Sequence, residues 1–152
     1  MKIAFANDHA ATSMRREILD HLEKTPHEIL DFGTNTTESV DYPEMAKKAV
    51  HAVQSQKADI AILICGTGIG MCIAANKFRG IRCALCTDEY GAQMARTHNN
   101  ANVLALRGRR MDVEQNLAII DIFLNGKFEG GRHQRRLDLI TKFEKEPDDA
   151  QP

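Results

Sequence analysis

Short apolar runs alternate along the chain with longer stretches in which apolar residues return every three or four positions. The short runs, at 2–6, 28–32, 58–64, 81–87 and 102–106, are rich in Ile, Val, Leu, Ala or Phe. Uninterrupted runs of this kind are what strands covered on both faces require. Between the first two, Met14, Ile18 and Leu22 recur at helical spacing, while Arg15, Arg16, Asp20 and Glu23 supply a polar side. A second helix opens at Asp41-Tyr42-Pro43-Glu44, where proline suits an early helical position, and carries Met45, Ala49, Val50 and Val53. Further helices are predicted at 68–78, 89–97 and 112–124. Strand then helix, five times over, predicts an α/β protein: a Rossmann-like, doubly wound five-stranded parallel sheet with helices on both faces.

One segment breaks the rhythm. After a glycine-rich stretch at 126–131, residues 132 to about 145 form an extra C-terminal helix whose core-like positions are Leu137, Ile140 and Phe143. That helix is expected to pack against something else, a partner subunit being one candidate. The expected organisation is one domain over 1–146 and a polar tail over 147–152.

Composition narrows the function. A chain of 152 residues that is 43% hydrophobic can bury about two-thirds of the surface its unfolded form exposes. Twenty Lys+Arg against 21 Asp+Glu give a net charge of −1, so no global positive field draws it to nucleic acid or anionic lipid. Aromatic residues make up 5% with no Trp, too few to build a base-stacking platform. No apolar run approaches the ~20 residues that span a bilayer, and the first residues lack the apolar core of a signal peptide. A cytoplasmic protein is expected. Cys65, Cys72, Cys83 and Cys86 are then expected to be free thiols. Cys83 and Cys86 form a C-x-x-C inside a strand, where positions three apart point to opposite faces and cannot share a metal. No metal and no cofactor are expected.

Ligands of such sheets bind beyond the carboxyl ends of the strands. There Ile64-Cys65-Gly66-Thr67-Gly68-Ile69-Gly70 joins the third strand to a helix. Its glycines admit a ligand close to the backbone, and the helix start aims N–H groups at an anion. The phosphate-loop motif is excluded, because Gly70-Met71-Cys72 does not supply its Lys-Ser/Thr pair. A dinucleotide site is a rival reading, with Asp88 as the ribose-binding acid, although G-x-G-x-G is one residue short of the fingerprint. Position alone leaves Cys65 as either a small hydrophobe closing the strand or a thiol activated by the helix start. Asn7-Asp8-His9 and Arg107-Gly108-Arg109-Arg110 follow the first and fifth strands, where Asp8 could also serve as a helix cap. His98 and Asn99 follow the fourth helix. Arg132 and Arg136, four apart in the last helix, project a guanidinium pair from one face toward a phosphate or carboxylate.

Taken together, Asn7-Asp8-His9, Asp41-Tyr42-Pro43, the loop around Cys65, Ala74 to Phe78, His98 to Ala105 and Glu129-Gly-Gly-Arg-His-Gln-Arg-Arg136 resemble type B ribose-5-phosphate isomerases, to about Lys145. The resemblance implies cofactor-free interconversion of ribose 5-phosphate and ribulose 5-phosphate through an enediolate. It also implies roles: Cys65 as base, His98 as the acid/base that opens the sugar ring, and Thr67 with Gly66, Gly68, Ile69 and Gly70 around the enediolate oxygen. Asp8 and Asn99 would contact sugar oxygens, and His9, Arg109, Arg132 and Arg136 the phosphate, with Arg107 and Arg110 as neighbours that could take the place of Arg109. It implies a homodimer, with a tetramer left open, in which His98, Asn99 and Arg109 reach in from the neighbouring subunit. Allose 6-phosphate, galactose 6-phosphate and tetrulose phosphates are alternative substrates, and a non-catalytic sugar-phosphate sensor is the alternative outside enzymes.

Overall fold

The computed structural model describes residues 1–146; the polar tail expected at 147–152 lies outside the described residues. Five strands, Lys2–Asn7 (β1), Glu28–Asp31 (β2), Ile60–Cys65 (β3), Cys83–Leu85 (β4) and Val103–Arg107 (β5), form one sheet in the order β2-β1-β3-β5-β4. Every neighbouring pair is parallel. The helices are Thr12–Glu23 (α1), entered through a 3-10 turn at His9–Ala11, then Tyr42–Gln54 (α2), Ile69–Ala75 (α3), Glu89–Thr97 (α4), Val113–Asn125 (α5) and Arg132–Phe143 (α6). The Rossmann-like α/β architecture read from the sequence is the one observed.

The central strands β1, β3 and β5 are largely apolar because both of their faces are covered. Ile3, Phe5, Ile62, Ile64, Leu104 and Leu106 point to one side, where they meet Ile18 and Leu22 of α1, Ala92 and Ala95 of α4, and Ile119 and Phe123 of α5. Ala4, Ala6, Ala61, Leu63 and Val103 point to the other, against Met45, Ala46, Ala49 and Val50 of α2 and Met71 and Ala75 of α3. The two-residue period of a strand sorts the large and small side chains onto separate faces.

Two elements fall well short of their predicted length. The strand expected at 81–87 pairs only over Cys83–Leu85, and the helix expected at 68–78 ends at Ala75. One side chain links both effects. Asn76, the C-cap of α3, donates from Nδ2 to the Cys83 carbonyl at 2.9 Å and accepts the Cys83 amide at 2.8 Å. The outer edge of β4 is thus occupied by a side-chain amide instead of another strand, one way of blunting a sheet edge. α6 lies beside that edge, with Leu137 buried and the Glu144 carboxylate accepting the Gly80 amide at 3.0 Å. Cys83 and Cys86 fall in the clusters on opposite faces of the sheet, as the strand period requires, and all four cysteines are free.

The strand order decides which loops meet. The chain leaves β1 for β2 on one side and returns through α2 to place β3 on the other, so the loops after β1 and β3 part over a crevice. β5 lies on the far side of β3. The segments after β1, β3 and β5 therefore gather at one edge of the sheet.

Candidate active site

Cys65 is the last residue of β3 and is 5% exposed. The backbone around it is tied to both neighbouring strands: the Asp8 amide donates to Ile64 at 3.0 Å, the Gly108 amide to Cys65 at 2.8 Å and the Arg109 amide to Gly66 at 3.1 Å. The chain then turns so sharply that the Gly68 amide points back at Cys65 Sγ, 3.2 Å away. Gly68 sits at φ +76°, and a methyl group there would meet the Leu106 carbonyl oxygen at 2.8 Å. Only glycine fits such a turn without strain. Tyr42, at the start of α2, lies so close over Gly70 that a methyl group would reach its ring at 2.6 Å. Thr67 is exposed beside the turn and its Oγ1 accepts the Ile69 amide at 3.3 Å, while Ile69 itself is 52% exposed.

The flanking loops add polar groups. Asp8 is buried and its Oδ1 accepts the Ala10 amide at 2.9 Å, so it does cap the turn into α1. His9 Nδ1 accepts the Val40 amide at 3.2 Å, which leaves Nε2 as the free nitrogen of its ring. Of the three arginines at 107–110, Arg109 is the one that stands against the turn. Its side chain would touch a methyl group on Gly66 at 3.6 Å, whereas Arg107 has an enclosed Nε with no partner among the described residues and Arg110 sits in the left-handed region at φ +54°. Arg109 thus stands at the Cys65 edge of its own chain.

A group the sequence reading passed over holds this edge together. Arg15, 7% exposed, donates to Asn7 Oδ1 at 2.8 Å, to Asp31 Oδ1 at 3.0 Å and to Asn35 Oδ1 at 2.8 Å. Asn7, fully buried, passes the tie on to the carbonyls of Asp8 and Thr34 at 2.9 Å each. Partial burial raises the Asp31 carboxyl, but the Arg15 hydrogen bonds and the Gly33 amide outweigh it and hold the group below its usual value.

His98, Asn99, Arg132 and Arg136 are elsewhere. α4 runs back from the carboxyl ends of the strands, and its C-cap is His98, just before β5 begins. Arg82, which precedes β4, donates to the Asn99 carbonyl at 3.2 Å. In one chain this set and Cys65 lie at opposite edges of the sheet, separated by a strand length of roughly 15–20 Å. Arg132 and Arg136 are exposed at the start of α6 on the same far edge. There His98 stacks on the buried His133, with ring centroids 4.1 Å apart and planes at 11°. Both Nε2 atoms face Oε2 of Glu129, at 3.7 Å for His98 and 3.6 Å for His133. Among the described residues His98, Glu129 and His133 are the grouping whose donor atoms could ligate a metal. Charge argues against a cation there, because Arg132 and Arg136 already act on His133.

Two further findings bear on the alternatives. Asp88, the acid a dinucleotide site would need, uses Oδ1 to accept the Gly91 amide at 2.6 Å as the N-cap of α4. A cavity of about 660 Å³ runs between β4, α4 and α6, lined by Cys83, Leu85, Met94, Leu137 and Phe143, and Cys65 is not in its wall.

Residues 3–140 match the model of the Ribose/Galactose Isomerase family. The chain belongs to that family. Within it, the chain is 46% identical over 143 residues to ribose-5-phosphate isomerase B of Escherichia coli K12, covering 94% of this chain and 96% of that one. The solved structure of Clostridium thermocellum ribose-5-phosphate isomerase B superposes with a TM-score of 0.93 at 48% identity, covering 95% and 98% of the two chains. That of the Mycoplasma genitalium enzyme with bound ribulose-5-phosphate gives 0.91 at 42% identity, covering 96% and 97%. The resemblance carried by the motifs is thus borne out, and family members share this fold across nearly the whole chain.

Proposed function

We propose that this chain is a type B ribose-5-phosphate isomerase that interconverts D-ribose 5-phosphate and D-ribulose 5-phosphate without a cofactor. The observation that carries the reading is Cys65 at the carboxyl end of β3, enclosed by a glycine turn whose amide already donates to its sulfur. The Gly68 amide and the start of α3 both face the sulfur. In the open-chain aldose, the Cys65 thiolate takes the proton from C2, and the electron pair shifts to make a C1–C2 enediolate. Return of the proton to C1, with transfer of the hydroxyl proton from O2 to O1, gives the ketose. Thr67 and the amides of the turn, from Gly66 through Gly70, stand where the enediolate charge develops. Asp8 holds a sugar oxygen, and His9 with Arg109 faces the phosphate end.

Ring opening needs an acid/base group besides Cys65, and in this reading Asp8 and His9 are already engaged with the sugar and the phosphate. His98 is that group in our reading, with Asn99 on a sugar oxygen and Arg132 and Arg136 on the phosphate. Their place at the opposite edge of the same chain supports a homodimer in which each site takes Cys65 from one subunit and His98 from the other. Binding energy from the remote phosphate then orients the reacting carbons.

The test is turnover by the purified protein in EDTA, with ribose 5-phosphate, allose 6-phosphate, galactose 6-phosphate and erythrose 4-phosphate run side by side. The highest kcat/KM on ribose 5-phosphate is the expected result. Turnover of another sugar alone moves the substrate and keeps the chemistry, and binding without turnover on all four replaces the enzyme with a sensor.

A further inference from the structure

Two imidazoles share one carboxylate beside α4, and they are not equivalent. His133 is 7% exposed, and burial, followed by the charges of His98 and Arg132, pushes its imidazole below the ordinary histidine value. The side chain of His98 is 34% exposed, and its Nδ1 has no hydrogen-bond partner among the described residues. The backbone ties the group together: the Glu129 amide donates to the carbonyl of Thr97, the residue before His98, at 3.0 Å, and the His133 amide donates to Gly130 at 3.0 Å. Gly130 and Gly131 turn through φ of +66° and +56° to bring His133 over His98.

We infer that Glu129 is the positioning residue for His98: it draws the Nε2–H of His98 toward its carboxylate while His133 braces the ring face, so that Nδ1 is the nitrogen that exchanges the substrate's proton. A carboxylate facing one nitrogen of a histidine at ion-pair distance, 3.7 Å here, favours the tautomer that carries the proton on that nitrogen. Glu129 is the one carboxylate within salt-bridge distance of His98 among the described residues. The other charged or titratable groups around the pair are His133, Arg132 and Arg136 from α6 and Arg82 against Asn99. Because those groups offer no acceptor oxygen, none can replace Glu129 in this role. The inference rests on the reading that His98 opens the sugar ring.

Imidazole nitrogen NMR of the full-length protein tests it. Neutral His98 is expected as the Nε2–H tautomer in the parent chain and in Glu129→Gln, which keeps an acceptor oxygen. In Glu129→Ala it is expected to become a mixture. Turnover of ribose 5-phosphate by Glu129→Ala should fall about tenfold or more in kcat, a fraction of what a general acid contributes, with KM within about twofold. Glu129→Asp should recover part of the loss. An unchanged His98 tautomer in Glu129→Ala overturns the inference even if His98→Gln is inactive. Normal turnover by His98→Gln overturns the catalytic reading on which it rests.

Discussion

The amide nitrogen of Gly68 lies 3.2 Å from the sulfur of Cys65. This turn holds a hydrogen-bond donor on the one thiol that faces the gathered ends of β1, β3 and β5. Cys65→Ala should therefore lower kcat by at least about 10³-fold, within the range that proton transfer contributes, while ribose 5-phosphate still binds. Steady-state kinetics together with calorimetric titration check both halves, and near-normal turnover removes Cys65 as the base.

Gly68 itself is the next point of failure. A Cβ at φ +76° would press on the Leu106 carbonyl and on Leu85, so Gly68→Ala should cost about 1–3 kcal/mol from backbone strain. Thermal denaturation should show a lower Tm. Activity should fall further than stability explains, because the amide leaves the sulfur.

Phosphate recognition is assigned to two edges. Arg136→Ala should raise KM for ribose 5-phosphate by about tenfold or more, since a charge-assisted hydrogen bond is worth roughly 1.5–3 kcal/mol. Binding of unphosphorylated ribose should hardly change. Equal losses for both sugars would refute the phosphate role.

The Arg15–Asp31 pair predicts acid sensitivity. The Asp31 carboxyl is lower in the folded chain than its ordinary value near 3.8. Its stabilising effect is thus complete above that value and is lost as pH falls through the lower, folded one. Urea unfolding of Asp31→Asn should show lower stability than the parent at neutral pH. The two curves should begin to converge below about pH 4 and meet only below the lowered, folded value.

Cys72 is the thiol whose neighbours lower it. It reads from sequence as a residue in apolar surroundings, yet contact with the Cys83 thiol, against the opposing effect of burial, and the Leu85 and Asn76 groups lower it to about 7. Cys83 is pushed far up by the same contact and by burial. Iodoacetamide should label Cys72 ahead of Cys83, with a rate that rises through about pH 7. Asn76→Ala should move that rise to higher pH, as mass spectrometry of the labelled peptides would show.

Residues next to a strand end were the most legible part of the site. Asp8, His9, Cys65 and Arg109 each lie within three residues of the end of an apolar run, and a parallel sheet sends all such positions to one edge. The Arg15–Asn7–Asp31 network was hidden because its members belong to three separate elements with no common spacing. Glu129 and His133 were hidden for the same reason: Glu129 follows α5, His133 begins α6 and both meet the end of α4. The short edge at β4 escaped notice because a side-chain amide, Asn76, takes up bonds that the apolar run alone would assign to a longer strand.

By itself the sequence determined the alternation of strands and helices, the glycine turn after Cys65 and the family, because these depend on residues adjacent along the chain. Tertiary structure decided the strand order, and with it which strand ends lie side by side. It placed Arg109 beside Gly66 and sent His98 to the far edge, stacked on His133. Those outcomes follow from which faces bury together across the whole sheet, a balance of long-range packing that local spacing does not record.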